Sequence, residues 1–426
     1  MKLKTIFIIT VLFAGMNSYS QSLLEIYKKG TVKLAADTEY GKNNDWNKVM
    51  ELYNDVQYGK PVGNRMNLLV KPDGSIVVNH SYQNFYSQFD ANGNYTGKLN
   101  VKNGNGKELK APNIAGIINN NTFFTGLTNM GKMTCFDFTG NYIKTLTLDY
   151  MTKQIIALPN NKLAVVGWVI WSDRFRDFIS IVDYNTNEEK IIWEHFTPRK
   201  IDRSRKDQKF YYEYDFKDKG GISTSTMPFL NTLGLRPAPN VIFANNKLIV
   251  AIPTSGEILE YSDEGSLLKK SKVSWKNLEI SIEEQTKIQK AAIEKYKNSL
   301  EQMKKYPEKN SKYIEAYSAM LIDMENDLNK ITEPIPKPYF STVIKDSDEN
   351  LLFFEYPENE GANKFNVYTY SGNGNFACQS SFQCDDYNLV INPSKLTFFN
   401  GYLYGIQELK SSDGNPARLV KFKLTN

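Results

Sequence analysis

Histidine and cysteine are scarce in this chain of 426 residues, which holds two of the first and three of the second. His80 and His195 lie far apart and no His-Glu-x-x-His pattern occurs, so a zinc centre would have to be built largely from carboxylates; no metal site is expected. Cys135 and Cys378 fall in different repeats, and an extended strand would hold Cys378 and Cys384 about 20 Å apart at about 3.3 Å per residue. All three thiols are therefore expected to be free. Gly-x-Ser-x-Gly, Cys-x-x-Cys and phosphate-loop patterns are missing too, and Gly104-Asn105-Gly106-Lys107 reads as a loop. Nucleophilic catalysis thus has no support. Charge of one sign is lacking, with 52 basic residues against 47 acidic ones, which excludes nucleic acid as an expected partner.

Long apolar runs are missing after the first twenty residues. Lys2 and Lys4, an apolar run over 6–15 and Ser18-Tyr19-Ser20 read as a secretory signal, 1–20, ending before Gln21. Its removal leaves a formal net charge of +3. No later stretch is apolar for about 18 residues, so no transmembrane segment is expected after signal removal. The mature chain is expected to be exported, whether periplasmic, at the cell surface or secreted. No Cys follows the apolar run, which argues against a lipid anchor.

Aromatics are plentiful, with 26 Tyr and 24 Phe, as half-buried strands favour. Phe89-Asp90-Ala91-Asn92-Gly93-Asn94 recurs as Phe136-Asp137-Phe138-Thr139-Gly140-Asn141, with looser copies at 182–187, 261–266 and 370–375. Asp90, Asp137 and Asp183 stand 47 and 46 residues apart, a spacing that fits one propeller blade. Between such turns the chain reads as short apolar strands joined by Asp-Gly and Asn-Gly connections. Complete four-strand repeats are expected over 66–101, 113–149, 153–196, 240–275 and 339–383. A sixth, from 395 to 424, has only three strands, while an isolated strand at 29–37 has no partner of its own. The N-terminal strand is expected to complete the last repeat.

Six repeats, each with an apolar strand, a Pro-Asp-Gly or Asn-Asn-Lys turn and a Phe-Asp-x-x-Gly-Asn-type turn, resemble the secreted six-bladed β-propellers of the NHL/TolB-like group. The resemblance implies an all-β domain over 21–426, closed by the N-terminal strand, and it says little about activity. Two insertions depart from the pattern. The first, 197–239, opens with Arg199, Lys200, Arg203, Arg205, Lys206 and Lys209 around Asp202 and Asp207, and continues with Tyr211, Tyr212, Tyr214 and Phe216. That run could contact an acidic glycan, a phosphate or a lipid headgroup, but it reads first as a solvated insertion neutralised by its Asp and Glu neighbours. The second, 276–338, is expected to be an α-helical hairpin. Ser281 and Glu284 form a capping box for a helix to about 304, with Ile288, Ala292, Tyr296, Leu300 and Met303 on one face; a second helix is expected over about 311–330.

In a four-stranded blade, the second-to-third connections and the blade-to-blade links emerge on one face. Both insertions use blade-to-blade links, so that face supplies the candidate binding residues. They are His80 and Tyr82 in the first repeat, Trp171, Arg174 and Arg176 in the third, Glu355 and Glu358 in the fifth, and Arg199 and Arg203 in the first insertion. Trp168 is assigned to a strand core. Asp346-x-Asp348-x-Asn350 starts like a calcium loop but has Leu351 and Pro357 where glycine and a bidentate glutamate belong; Asp90-x-Asn92-x-Asn94 fails likewise, with Tyr95 and Val101 there. The expected function is non-enzymatic binding of a partner protein or an extracellular ligand through the decorated face. No cofactor is expected, although a divalent cation in the central channel is left open. The alternative implied by the resemblance is a propeller enzyme of the lactonase, hydrolase or lyase type, with a carboxylate or divalent-metal site at that channel.

Overall fold

The computed structural model describes residues 22–426 apart from 51–65, 81–84, 109–113, 120–121, 126–131, 149, 171–173, 199–238, 357–362, 394 and 412–414. Helix α1 (Leu23–Tyr27) leads into β1 (Thr31–Ala36), and α2 (Trp46–Val49) follows. The first sheet then holds β2 (Met66–Val70), β3 (Ile76–His80), β4 (Phe85–Phe89) and β5 (Tyr95–Asn100), and the second β6 (Ile114–Asn119), β7 (Thr122–Thr125), β8 (Lys132–Asp137) and β9 (Tyr142–Thr147). In the third are β10 (Met151–Leu158), β11 (Lys162–Ile170), β12 (Arg174–Asp183) and β13 (Glu189–Pro198); in the fourth are β14 (Asn240–Ala244), β15 (Lys247–Ile252), β16 (Glu257–Tyr261) and β17 (Leu267–Lys272). Each of these sheets is a run of antiparallel neighbours in chain order.

A short ribbon of β18 (Glu279–Ile280) and β19 (Ile335–Pro336) carries α3 (Ile282–Lys304) and α4 (Pro307–Leu328). The remaining strands are β20 (Thr342–Lys345), β21 (Leu351–Phe354), β22 (Lys364–Tyr370), β23 (Phe376–Gln383), β24 (Tyr387–Asn388), β25 (Leu396–Phe399), β26 (Tyr402–Leu409) and β27 (Ala417–Thr425). They join through β1, which pairs antiparallel with β27 and parallel with β23. The lone N-terminal strand expected from the sequence has two partners.

The first strands form a closed cycle. β2 packs against β6, β6 against β10, β10 against β14, β14 against β20, β20 against β25, and β25 against β2. Sheets radiating from a ring of first strands make a β-propeller-like fold. Between neighbouring sheets lie separate apolar clusters, such as Val77, Tyr86, Leu99, Phe123 and Phe136 between the first and second, and Val166, Ile179, Val241, Val250 and Leu259 between the third and fourth. Burial of one such side chain stabilises the fold by about 1.5–3 kcal/mol. Central strands are covered on both faces, as in the fully buried β21, whereas the outermost β17 is exposed nearly throughout.

The recurring turn holds itself together. Asp137 Oδ1 accepts from the backbone N–H groups of Thr139 and Asn141 at 2.9 Å each, and Oδ2 accepts from Asn141 Nδ2 at 2.8 Å. Asp90 makes the same bonds to Asn92 and Asn94. The glycine of the turn meets the preceding unit, since a Cβ at Gly140 would lie 2.9 Å from the Asn100 carbonyl oxygen. Two-residue turns elsewhere use asparagine, as where Asn245 and Asn246 (φ 51° and 57°) link β14 to β15 in the left-handed pattern that tight hairpins require.

The helical insertion is a hairpin whose arms pack through Ile293, Leu300, Leu321 and Met324. Its second arm begins at Pro307, four residues before the sequence reading, because proline suits the first helical position. Only half of the capping box forms. Ser281 Oγ accepts from the Glu284 N–H at 3.1 Å, while the Glu284 carboxylate pairs with Lys337 at 3.1 Å. The buried stripe of α3 runs through Gln285, Gln289, Ile293 and Leu300, so it includes two glutamines that an apolar pattern passes over. Gln285 Nε2 donates to the carbonyls of Ile280 and Glu333, which pins the base of the hairpin.

Candidate functional site

A cavity of about 920 Å³ lies inside the ring of first strands, within the range of ligand pockets. Its wall includes Leu68, Ile117, Ile155, Val241, Val343 and Leu396, and the end at which β20 finishes carries Lys345 and Asp346. At the end where the blade-to-blade links deliver the first strands, the lining turns polar, with Asn67, Lys153, Gln154, Asn240, Ser341 and Asn392. Two of these stitch neighbouring strands together. Gln154 Nε2 donates to the Val241 carbonyl at 3.1 Å, and Asn240 Oδ1 accepts from Thr342 Oγ1 at 3.1 Å.

Asp346 is the carboxylate among the lining residues, and its oxygens are occupied. Oδ1 accepts from the N–H groups of Asp348 and Asn350, and Oδ2 from Asn350 Nδ2 and from Tyr27 Oη at 3.0 Å. Burial pushes the Asp346 pKa up against the pull of those bonds. The calcium-like spacing at Asp346 is thus an internal turn that also anchors α1, helped by the Leu23 N–H on Asp348 Oδ2 at 3.0 Å. Among the described residues, no group of three His, Cys, Asp or Glu comes together to hold a metal, and all three cysteines are free.

The third sheet is the largest departure from the regular pattern. β12 and β13 are ten residues long, against five and six for β16 and β17. Arg174 and Arg176, assigned to a loop from the sequence, lie in β12 opposite Pro198 and Phe196. Arg176 donates to Glu194 Oε2 through Nε at 3.0 Å and Nη2 at 2.7 Å, and its guanidinium sits 4.8 Å from the centre of the Phe178 ring. Those are favourable cation–π and charge-assisted contacts.

The other sequence candidates are dispersed. His80 ends β3 opposite Met66. Glu355 is buried and accepts from Asn366 Nδ2 at 2.9 Å, so its carboxylate serves the fifth sheet. Tyr82, Trp171, Arg199, Arg203 and Glu358 lie outside the described residues.

No family model matches the chain, and no curated protein does. Solved structures similar to it share the propeller-like fold. A member of the DUF4221 family from Bacteroides vulgatus has 11% identity and a TM-score of 0.47, over 94% of this chain and 100% of that one. Virginiamycin B lyase from Staphylococcus aureus has 11% identity and a TM-score of 0.37, over 93% and 99%. Regucalcin, a calcium-binding protein from Agrobacterium tumefaciens, has 9% identity and a TM-score of 0.38, over 84% and 88%. At such values the likenesses carry no argument about function.

What the sequence reading missed is a group on the other face of the third sheet. Lys153 Nζ meets Asp177 Oδ1 at 2.5 Å and lies 5.7 Å from the centre of the Trp168 ring. Trp193 stacks on His195, with centroids 6.2 Å apart and planes 20° from parallel. No local sequence signal marks this group, because Lys153 reaches it through a register shift in the pairing of β10 with β11.

Proposed function

We propose that this chain is an exported six-bladed β-propeller, closed by its N-terminal strand, that binds a partner protein or an extracellular ligand through the face carrying the insertions. The observation that carries the reading is a coincidence of position. The end of the axial cavity lined by Asn67, Lys153, Gln154, Asn240 and Asn392, the elongated end of the third sheet and the links that hold both insertions belong to one face. Among the described residues, the opposite face is made of short turns, on two of which the N-terminal segment is held through Tyr27 and Asn44. Loops and extensions on a rigid scaffold are where binding residues concentrate.

Closure by β1 rests on its antiparallel register with β27, from Lys33 opposite Thr425 to Ala36 opposite Phe422. The six-blade count rests on the cycle of first strands. Export rests on the N-terminal segment read from the sequence, and no helix among the described residues is long and apolar enough to cross a membrane. The binding reading is favoured over the catalytic one because the Asp346 carboxylate is already saturated by donors.

The test is affinity capture from an extract of the source cells with full-length protein and with a variant in which a glycine linker replaces 282–328. The ribbon of β18 and β19 is retained. Loss of a specific partner with the shortened hairpin supports the reading; unchanged recovery removes the hairpin as the contact.

A further inference from the structure

Three first strands bring to one end of the axial cavity a carboxamide with capacity to spare: Asn67 in β2, Gln154 in β10 and Asn240 in β14. β2 and β14 stand across the ring from each other, with β6 and β10 between them on one side and β20 and β25 on the other. Asn67 is only 8% exposed. Its backbone N–H donates to Asn79 Oδ1, while its side chain has no hydrogen-bond partner among the described residues. Buried polar groups are almost always paired. A buried carboxamide left open on a cavity wall therefore marks a place for a ligand group.

The two amides across the ring are fixed by their neighbours, and each keeps one group unspent. Gln154 Nε2 donates to the Val241 carbonyl at 3.1 Å, which leaves Oε1 as an acceptor. Asn240 Oδ1 accepts from Thr342 Oγ1 at 3.1 Å and from the Val343 N–H at 3.3 Å, which leaves Nδ2 as a donor. Neither remaining atom has a partner among the described residues. A carbonyl facing Nε2 and an N–H facing Oδ1 dictate which way each amide points. The charges on the lining are balanced within the protein: Lys153 pairs with Asp177, Lys345 pairs with Glu349 at 2.6 Å, and Asp346 accepts four bonds.

We infer that the axial cavity binds a small uncharged amide with apolar side groups, in chemistry a capped apolar dipeptide; the inference rests on the proposed binding face and specifies its ligand. An amide carries one donor and one acceptor, the complement of Gln154 Oε1 and Asn240 Nδ2 on one side of the ring and of the Asn67 carboxamide on the other. Leu68, Ile155, Val241 and Val343 on the wall receive the apolar side groups. A cavity of about 920 Å³ accommodates a ligand of that size. A charged ligand would enter without an unpaired counter-ion to meet it, so the neutral form is selected.

The test is calorimetric titration of the full-length protein with the N-acetyl amides of leucyl-leucine, leucyl-phenylalanine and valyl-valine, and with the corresponding N-acetyl acids. Binding of at least one amide is expected, with its acid weaker by about tenfold. Asn67→Leu and Asn240→Asp should each weaken the amide by about fivefold or more, with Leu268→Ser on exposed β17 as the control. Asn67→Leu breaks no side-chain hydrogen bond within the protein, and Asn240→Asp keeps the acceptor for Thr342 and Val343 while removing the donor. If one variant fails to fold, the other decides. Absence of binding by all three amides at about 1 mM, equal binding of amide and acid, or binding that both variants leave unchanged overturns the assignment. In that event capture that depends on 282–328 would still uphold the binding face, so the two ideas fail separately.

Discussion

Gly93 sits against the ring of Tyr40: a Cβ at Gly93 would lie 2.6 Å from Tyr40 Cε1, and the glycine has φ +79°. The turn that marks the repeat in the sequence is therefore also a contact between the N-terminal segment and the first sheet. Asn44 reinforces it, donating through Nδ2 to the Gly93 carbonyl and accepting from the Tyr95 N–H, both at 2.8 Å.

Gly93→Ala is expected to cost about 2–4 kcal/mol, from left-handed backbone strain together with overlap against a buried ring. Gly106, at φ +75° with nothing within 4 Å, is the control. Its alanine variant should lose only the strain component, about 1–2 kcal/mol. Urea unfolding of both variants measures the difference, and equal losses would show that the Tyr40 contact does not matter.

Asp346 gives a pH dependence with a definite sign. Burial raises its folded-state pKa, so the folded protein holds this proton more readily than the unfolded chain. Its contribution favours the fold at low pH and declines as pH rises through the folded value. The melting temperature of the wild type relative to Asp346→Asn should therefore shift in favour of the wild type between about pH 7 and about pH 4. The reverse trend would contradict the assignment.

Lys395 is buried, and burial lowers its pKa to about 8 from 10.5, with Glu408 opposing the shift. The unfolded chain binds this proton more tightly, so the contribution to stability rises between about pH 8 and about pH 10.5 and is least below that window. Compared with Lys395→Met, the wild type should gain stability across that window. A constant difference between the two proteins would show that the amine titrates alike in both states.

Within the hairpin, Gln289 Nε2 donates to the Met324 carbonyl at 3.0 Å, while its buried Oε1 has no partner among the described residues. An unsatisfied buried acceptor costs about 1–3 kcal/mol. Gln289→Leu is expected to be neutral or to raise hairpin stability by about 1 kcal/mol, and Gln289→Ala to lower it by leaving a void. Hydrogen exchange over 282–328 distinguishes them, and equal loss of protection in both variants would contradict the claim.

The regular part of the fold was readable because its signals are local. Alternating apolar residues, the Asp-x-x-Gly-Asn turns and the stiff return through Pro334, Pro336 and Pro338 each act within a few residues. The strand at 31–36 could be matched to the last repeat by counting. Its second pairing, with β23, could not, because parallel pairing between 31–33 and 381–383 leaves no short-range mark. The same holds for the row of Trp168, Asp177 and His195. It depends on the lengths of three strands and on one bulge at Lys153, and register is a property of partners. The apolar stripe of α3 misled in a simpler way, since Gln285 and Gln289 are buried by hydrogen bonds that only the folded hairpin provides.

Site-specific photo-crosslinking in the source cells tests the binding face most directly. One set of positions carries the crosslinker at His195, Tyr306 and Ile322, on the elongated sheet and the hairpin; the other carries it at Asn92, Thr139 and Asn373, on the short turns. The account predicts specific adducts from the first set and none from the second. Adducts confined to the turns, or equal in both sets, would contradict it.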